Sequence, residues 1–225
     1  MTLQHVVIVF QVIVFLFAIS VHESAHAFTA WRCGDPTARM LGRVSLNPIR
    51  HIDPLGTVIL PLVAMITHLP VIGWAKPTPV DPRNFRHQIR DDILTSIAGP
   101  ISNFLVAIIA VLCLVLIALS SPQASLIVKG AMFGYVGSNS VLVPVALLLY
   151  QAMYINVLLG VFNLIPVPPL DGSHVLRHLL SDSLRQIYDR VGIFGLVLLI
   201  AVGGRILTAM MDPFLNVFNA LLMRI

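Results

Sequence analysis

Residues 3–21 of this chain hold no Asp, Glu, Lys or Arg and are apolar almost throughout, and the run ends directly on His22-Glu23-Ser24-Ala25-His26. A stretch of about 20 such residues is long enough to cross the hydrocarbon core of a bilayer. In that solvent every backbone N–H and C=O must be paired within the protein, which restricts a lone spanning segment to an α-helix. On a helix, side chains four apart lie on one face, so His22 and His26 can share one metal ion while Glu23, one position on, reaches a metal-bound water. Ionisable groups at membrane depth are expensive and usually mark a functional site.

The spacing is that of zinc metalloproteases. The helix should continue through the motif to about Cys33, with Gly34 as its C-cap and Pro36 preventing extension. With Gly34 near the interface, Glu23 lies roughly 15 Å deeper at 1.5 Å per residue. The first five residues carry no Lys or Arg and no small-residue cleavage site follows, so the segment reads as a retained helix rather than a signal peptide.

Composition agrees with an integral membrane protein of one domain, residues 1–225: 57% of residues are hydrophobic, 11% are charged and mean hydropathy is +0.91. The net charge of +4 comes from Arg and Lys between the apolar runs, which fits anionic headgroups of a lipid bilayer and not nucleic acid. Cys33 and Cys113, one past the motif and one inside an apolar run, make no disulfide framework and read as packing residues.

Four further apolar segments follow, at about 55–72, 93–120, 141–164 and 191–211. A last piece, 213–223, is too short to span, and Asp212-Pro213 interrupts the pattern before it. Arg32, Arg39, Arg43 and Arg50 precede the 55–72 segment, and Lys76, Arg83, Arg86 and Arg90 follow it. Both basic loops read as cytoplasmic, which makes 55–72 re-entrant; between Ser121 and Ser140 the only basic residue is Lys129, so that loop faces the other side. The expected fold is all-α and polytopic: about four spanning helices, a re-entrant apolar segment, and short β or extended elements near the cytoplasmic face.

Catalytic zinc commonly takes three protein ligands and keeps an open position for water, and the helix motif supplies two. Asn163-Leu164-Ile165-Pro166-Val167-Pro168-Pro169-Leu170-Asp171-Gly172, at the exit of the fourth apolar segment, offers Asp171 as the third. With 55–72 re-entrant, Asp171 returns to the membrane side of His22 and His26; with 55–72 spanning, it lands about 30 Å away. His174 is an alternative ligand. Asp171 before Gly172 also fits an ordinary turn or helix cap.

Together with Gly99-Pro100-Ile101-Ser102-Asn103, these two motifs give the chain a resemblance to the site-2 proteases, the zinc intramembrane metalloproteases, over most of its length. The resemblance implies one Zn²⁺ per chain held by His22, His26 and Asp171, Glu23 as base, and Asn163 positioning substrate or stabilising the oxyanion. It implies a hydrolase that cuts transmembrane protein substrates through a Glu-activated, metal-bound water. The small size and Gly73-Trp74-Ala75-Lys76-Pro77 resemble the compact bacterial and archaeal members without a PDZ-like or CBS-like domain. That places the protein in a prokaryotic cell membrane, with its site towards the cytoplasm.

Other features have plainer readings. Asn103 and Asn156 suit interhelical hydrogen bonding, Gly99-Pro100 a packing and helix-start device, Asn163 backbone capping as readily as catalysis, and His5, His51, His68 and His87 incidental or interfacial positions. An unwound substrate could add as a strand to 42–46 or 73–80, although Pro77 and Pro79 remove donors from the second. The competing class is a metal carrier or transporter, whose paired acidic and His positions would recur on several helices; a membrane di-iron oxidase would need more ligands.

Overall fold

The computed structural model describes residues 3–59, 76–135 and 139–225. Its helices are α1 (Leu3–Cys33), a single turn α2 (Thr37–Met40), α3 (Gln88–Ser120), α4 (Pro122–Met132), α5 (Leu142–Leu164), α6 (Gly172–Leu179), α7 (Asp182–Val202) and α8 (Gly204–Arg224). Four are long and apolar enough to cross a membrane: 5–33 of α1, then α3, α5 and α8. No strand occurs among the described residues, so the expected β elements are not found there. Residues 60–72 of the expected re-entrant segment lie outside the described residues; its start, Pro54–Ile59, forms a wide helical turn.

Chain contacts divide the structure into two compact units, residues 1–18 with 100–225, and residues 19–99. In the first, α3, α5 and α8 pack through Ala107, Ala110, Val111, Met153, Val157, Val161 and Met211. Small side chains matter here because lipid tails are as apolar as leucine, leaving close van der Waals fit and polar bonds to drive association. At Gly160 a Cβ would press on the Phe104 ring at 3.0 Å, and Phe104 in turn stacks on Phe214 with centroids 4.9 Å apart. Ile108, Ile109, Leu112, Leu116 and Leu119 of α3 remain exposed, as a lipid-facing surface requires.

Two helix assignments depart from the sequence expectation. The stretch 121–140 is not a plain loop: Ser121 caps α4 by accepting from the Ala124 N–H, Pro122 occupies its first turn, and Ala124, Val128 and Ala131 are buried. The break in the C-terminal region falls at Gly203, where a Cβ would stand 2.1 Å from the Leu199 carbonyl oxygen, and not at Asp212-Pro213. Pro213 lies inside α8, whose 21 residues make a helix of roughly 30 Å. The fourth candidate span is therefore 204–224 and not 191–211.

The expectation for Asn103 holds. Both Asn103 and Asn156 are fully buried; Asn103 Nδ2 donates to Asn156 Oδ1 at 2.8 Å and to the Ala18 carbonyl at 3.3 Å, and Asn156 Nδ2 donates to the Ala152 carbonyl at 2.8 Å. This chain of amides joins α1, α3 and α5. Replacing Asn103 by Leu is expected to cost about 1–2 kcal/mol, because a buried acceptor on Asn156 loses its donor. Thermal unfolding in detergent would register it, and N103L with N156L together should cost less than the sum of the single changes.

Candidate metal centre and its surroundings

In the unit formed by residues 19–99, α1 ends as its sequence suggests. Gly34 adopts φ +117° beyond Cys33, its N–H bonds to the Trp31 carbonyl, and the Asp35 N–H reaches back to Ala30 at 2.9 Å. These are the two bonds of a Schellman cap. The carboxylate of Asp35, fully buried, accepts from Thr37, from the Asp81 amide at 2.8 Å and from Asn84 Nδ2 at 2.9 Å. It thereby ties the end of α1 to the segment that leads into α3.

Burial alone would raise the Asp35 carboxyl, but the bonds from Thr37, Asp81 and Asn84 outweigh it and hold the group below the usual carboxylate range. A depressed folded-state pKa stabilises the fold fully above the unfolded value of about 4, and that stabilisation is lost as pH falls through the lowered value. The variant D35N is thus expected to melt below wild type at pH 7, the gap narrowing as the pH falls below about 4. Thermal melts across that range in one detergent check this, and a gap constant with pH would contradict it.

His22 and His26 are both buried on α1. Their Nε2 atoms approach to 3.0 Å, with ring centroids 4.6 Å apart and ring planes at 81°. His26 Nδ1 lies 2.7 Å from the carbonyl oxygen of Thr95 on α3. A carbonyl can only accept, so Nδ1 carries the proton and a neutral His26 presents its lone pair at Nε2. A backbone carbonyl behind a ligating imidazole is the usual device that fixes tautomer and ring orientation. Two nitrogens bound tetrahedrally at 2.0–2.1 Å stand about 3.3 Å apart, close to the separation seen here.

Gly99 completes this part of the site by what it lacks. A Cβ at this position would stand 2.4 Å from His26 Nε2 and 2.6 Å from His22 Nε2. The donor atoms thus face a space that any other side chain would fill, and the donor set fits a zinc ion. Gly99-Pro100 serves packing as expected, but it does not start the helix: α3 begins at Gln88, with Pro100 inside it. Pro100 returns no N–H to the Ser96 carbonyl, so the ladder of α3 is interrupted one residue from Thr95. Gly99→Ala should lower bound zinc at least tenfold while the far-UV helix signal stays that of wild type; metal analysis of purified protein measures it.

Glu23, half-buried, is engaged by a residue that sequence reasoning did not single out. The Thr78 N–H donates to Glu23 Oε2 at 2.8 Å, and Thr78 Oγ1 donates to the Glu23 backbone carbonyl at 3.0 Å. Thr78 lies between Pro77 and Pro79, and the Lys76 N–H is bonded to the His51 carbonyl. The backbone N–H groups of 76–79 are therefore spent within the protein, which leaves that part of the expected strand edge without a donor for a substrate. At the other edge, the N–H groups of Gly42, Arg43 and Ser45 turn to Arg39, Ala38 and Arg43 carbonyls. His51 is structural, not incidental: it is fully buried and its Nε2 lies 2.7 Å from the Ser45 carbonyl.

Asp171 and Asn163 belong to the other unit. Asp171 precedes α6 with φ −59° and ψ −37° and makes no side-chain capping bond to it, so the plain helix-cap role is not the one it plays. Its backbone is pinned by Gly172, where a Cβ would lie 2.2 Å from the Leu164 carbonyl oxygen at the end of α5. Asn163 Nδ2 donates to the Leu159 carbonyl at 3.0 Å, which uses one of the amide's two hydrogens. His174 is exposed and His178 half-buried on α6.

Comparison with known proteins gives a consistent result. Residues 10–202 match Peptidase family M50. The chain is 32% identical over 223 residues to YwhC of Bacillus subtilis (strain 168), a protein carrying the name of a zinc metalloprotease, covering 94% of this chain and 92% of that one. It is 30% identical over 174 residues to Rip2 of Mycolicibacterium smegmatis, likewise named as a zinc metalloprotease, covering 76% of this chain and 58% of the relative. Rip2 of Mycobacterium tuberculosis is 28% identical over 185 residues. No solved structure matches.

Proposed function

The chain belongs to peptidase family M50, the site-2 protease family, and from that membership we propose that it is a zinc-dependent intramembrane endopeptidase cutting transmembrane protein substrates. It is a metalloendopeptidase and an integral membrane protein with four apolar helices. The observation that carries the finer reading is the pair of Nε2 atoms facing Gly99, with Glu23 on the same helix. In this reading residues 1–225 act as one metalloprotease domain. The charges of the 32–51 and 73–92 loops support a cytoplasmic orientation of the site in a prokaryotic cell membrane.

His22 and His26 would hold the zinc with Asp171 as third ligand. When bound, the ion acts as a Lewis acid and lowers the pKa of a water in its open position to about 7. Glu23 takes the proton of the attacking water and returns it to the leaving amine. Its carboxylate is held in one orientation by the Thr78 N–H on Oε2. The Thr95 carbonyl keeps the His26 proton on Nδ1 throughout. Asn163, with one amide hydrogen on Leu159, offers the other to the scissile carbonyl oxygen.

The separating experiment is zinc content measured beside cleavage of a reconstituted transmembrane peptide. Glu23→Gln should retain zinc and lose at least about 10²-fold in rate, whereas His26→Ala or Asp171→Ala should lose both. An E23Q protein that cleaves at the wild-type rate would sink the assignment of the base. Stoichiometric zinc without any peptide hydrolysis would favour a metal carrier.

A further inference from the structure

We propose that the cavity bounded by Leu41, Arg43, Lys76, Pro77 and Pro79 is a substrate subsite that takes a carboxylate side chain. The proposal rests on the endopeptidase reading above and names what that site recognises beside the scissile bond. The cavity measures about 420 Å³, enough for an aspartate or glutamate side chain with room for its hydration. Two of its five lining residues are cationic and none is acidic.

Arg43 is the stronger indication. Its residue is only 7% exposed, yet its guanidinium donates to the neutral carbonyl of Arg50 and makes no ion pair with a carboxylate among the described residues. A buried guanidinium with five N–H donors and a single carbonyl partner is a cation short of counter-charge. Lys76, exposed at the rim, adds a second positive charge that can be reached from solvent. The walls are fixed: the Lys76 N–H is bonded to His51, and Arg50 Nη1 donates to the Gly42 carbonyl.

Position favours a substrate carboxylate over other anions. Pro77 and Pro79 line the cavity, and the residue between them, Thr78, bonds Glu23 through both its N–H and its hydroxyl. The cavity is therefore bordered by both chain neighbours of the residue that orients Glu23. A charge-assisted, partly desolvated pair at such a place is strong enough to select substrates. Acidic side chains just outside a substrate's membrane span are the chemistry this subsite fits.

The test uses zinc-loaded E23Q protein in phosphatidylcholine nanodiscs. Binding is measured for synthetic single-span peptides that differ at one juxtamembrane position, scanned along the chain as Asp, Asn or Lys. At one position the Asp peptide should bind about tenfold tighter than the Asn peptide, a difference of about 1.4 kcal/mol. In the E23Q/K76E protein that preference should vanish and the Lys peptide should gain; Lys76 is exposed, so the fold is spared. Equal binding of Asp, Asn and Lys peptides at every position overturns the proposal, as does an Asp preference undiminished by K76E. Nanodiscs with phosphatidylglycerol form a second arm: if anionic lipid removes the Asp preference in the Lys76 protein, the cavity holds a lipid phosphate and the substrate assignment is wrong. Cleavage of the same peptides by wild type reports separately on the protease reading, since an Asp preference in binding without hydrolysis would leave the subsite standing and remove the enzyme.

Discussion

The bond from His26 Nδ1 to the Thr95 carbonyl is the interaction on which this site depends. In a low-dielectric setting an imidazole with an unfixed proton could present either nitrogen, or a charge, at considerable cost. The carbonyl removes that freedom and leaves a lone pair on Nε2, facing His22. It also draws α1 against α3 closely enough that position 99 can hold no side chain. The tautomer of His26 and the packing of two helices are thus one constraint.

A second layer surrounds the first without any regular secondary structure. Asp35 and Thr78 tie the segments 34–53 and 76–87 to one another or to α1, while Arg43 and His51 brace 34–53 from within through the Arg50 and Ser45 carbonyls. Irregular backbone that is buried away from water must find its partners within the protein, and here buried polar side chains supply several of them. Of the stretches that look like strand edges in the sequence, the N–H groups of Gly42, Arg43, Ser45, Lys76 and Thr78 already have partners within the protein. Fewer main-chain donors are thus left in these stretches than their extended sequence suggests.

What the sequence made legible follows from interactions that are local in the chain. The i, i+4 pair His22 and His26, the Schellman glycine at 34 and the long apolar runs of α1, α3 and α5 all declare themselves by spacing, and so does the number of candidate spans. Thr78 and Thr95 do not, since they act 55 and 69 residues away through a backbone N–H that every residue type but proline possesses and a carbonyl that all possess. The break at Gly203 was hidden because Pro213 is the louder signal, yet a proline inside a membrane helix is tolerated where neighbouring groups take up the freed carbonyl. The helix α4 was hidden because its short apolar face reads as loop until Ser121 and Pro122 are seen as a start signal.

The prolines on either side of Thr78 have one more effect. Along 77–79 a single nitrogen carries hydrogen, so sliding this stretch by one residue in either direction would present Glu23 with a ring nitrogen that donates nothing. The N–H contact with the Glu23 carboxylate therefore has one register and no near neighbours. A shift of 77–79 along its own axis would thus lose the N–H bond to the Glu23 carboxylate outright and could not pass it to a neighbouring residue.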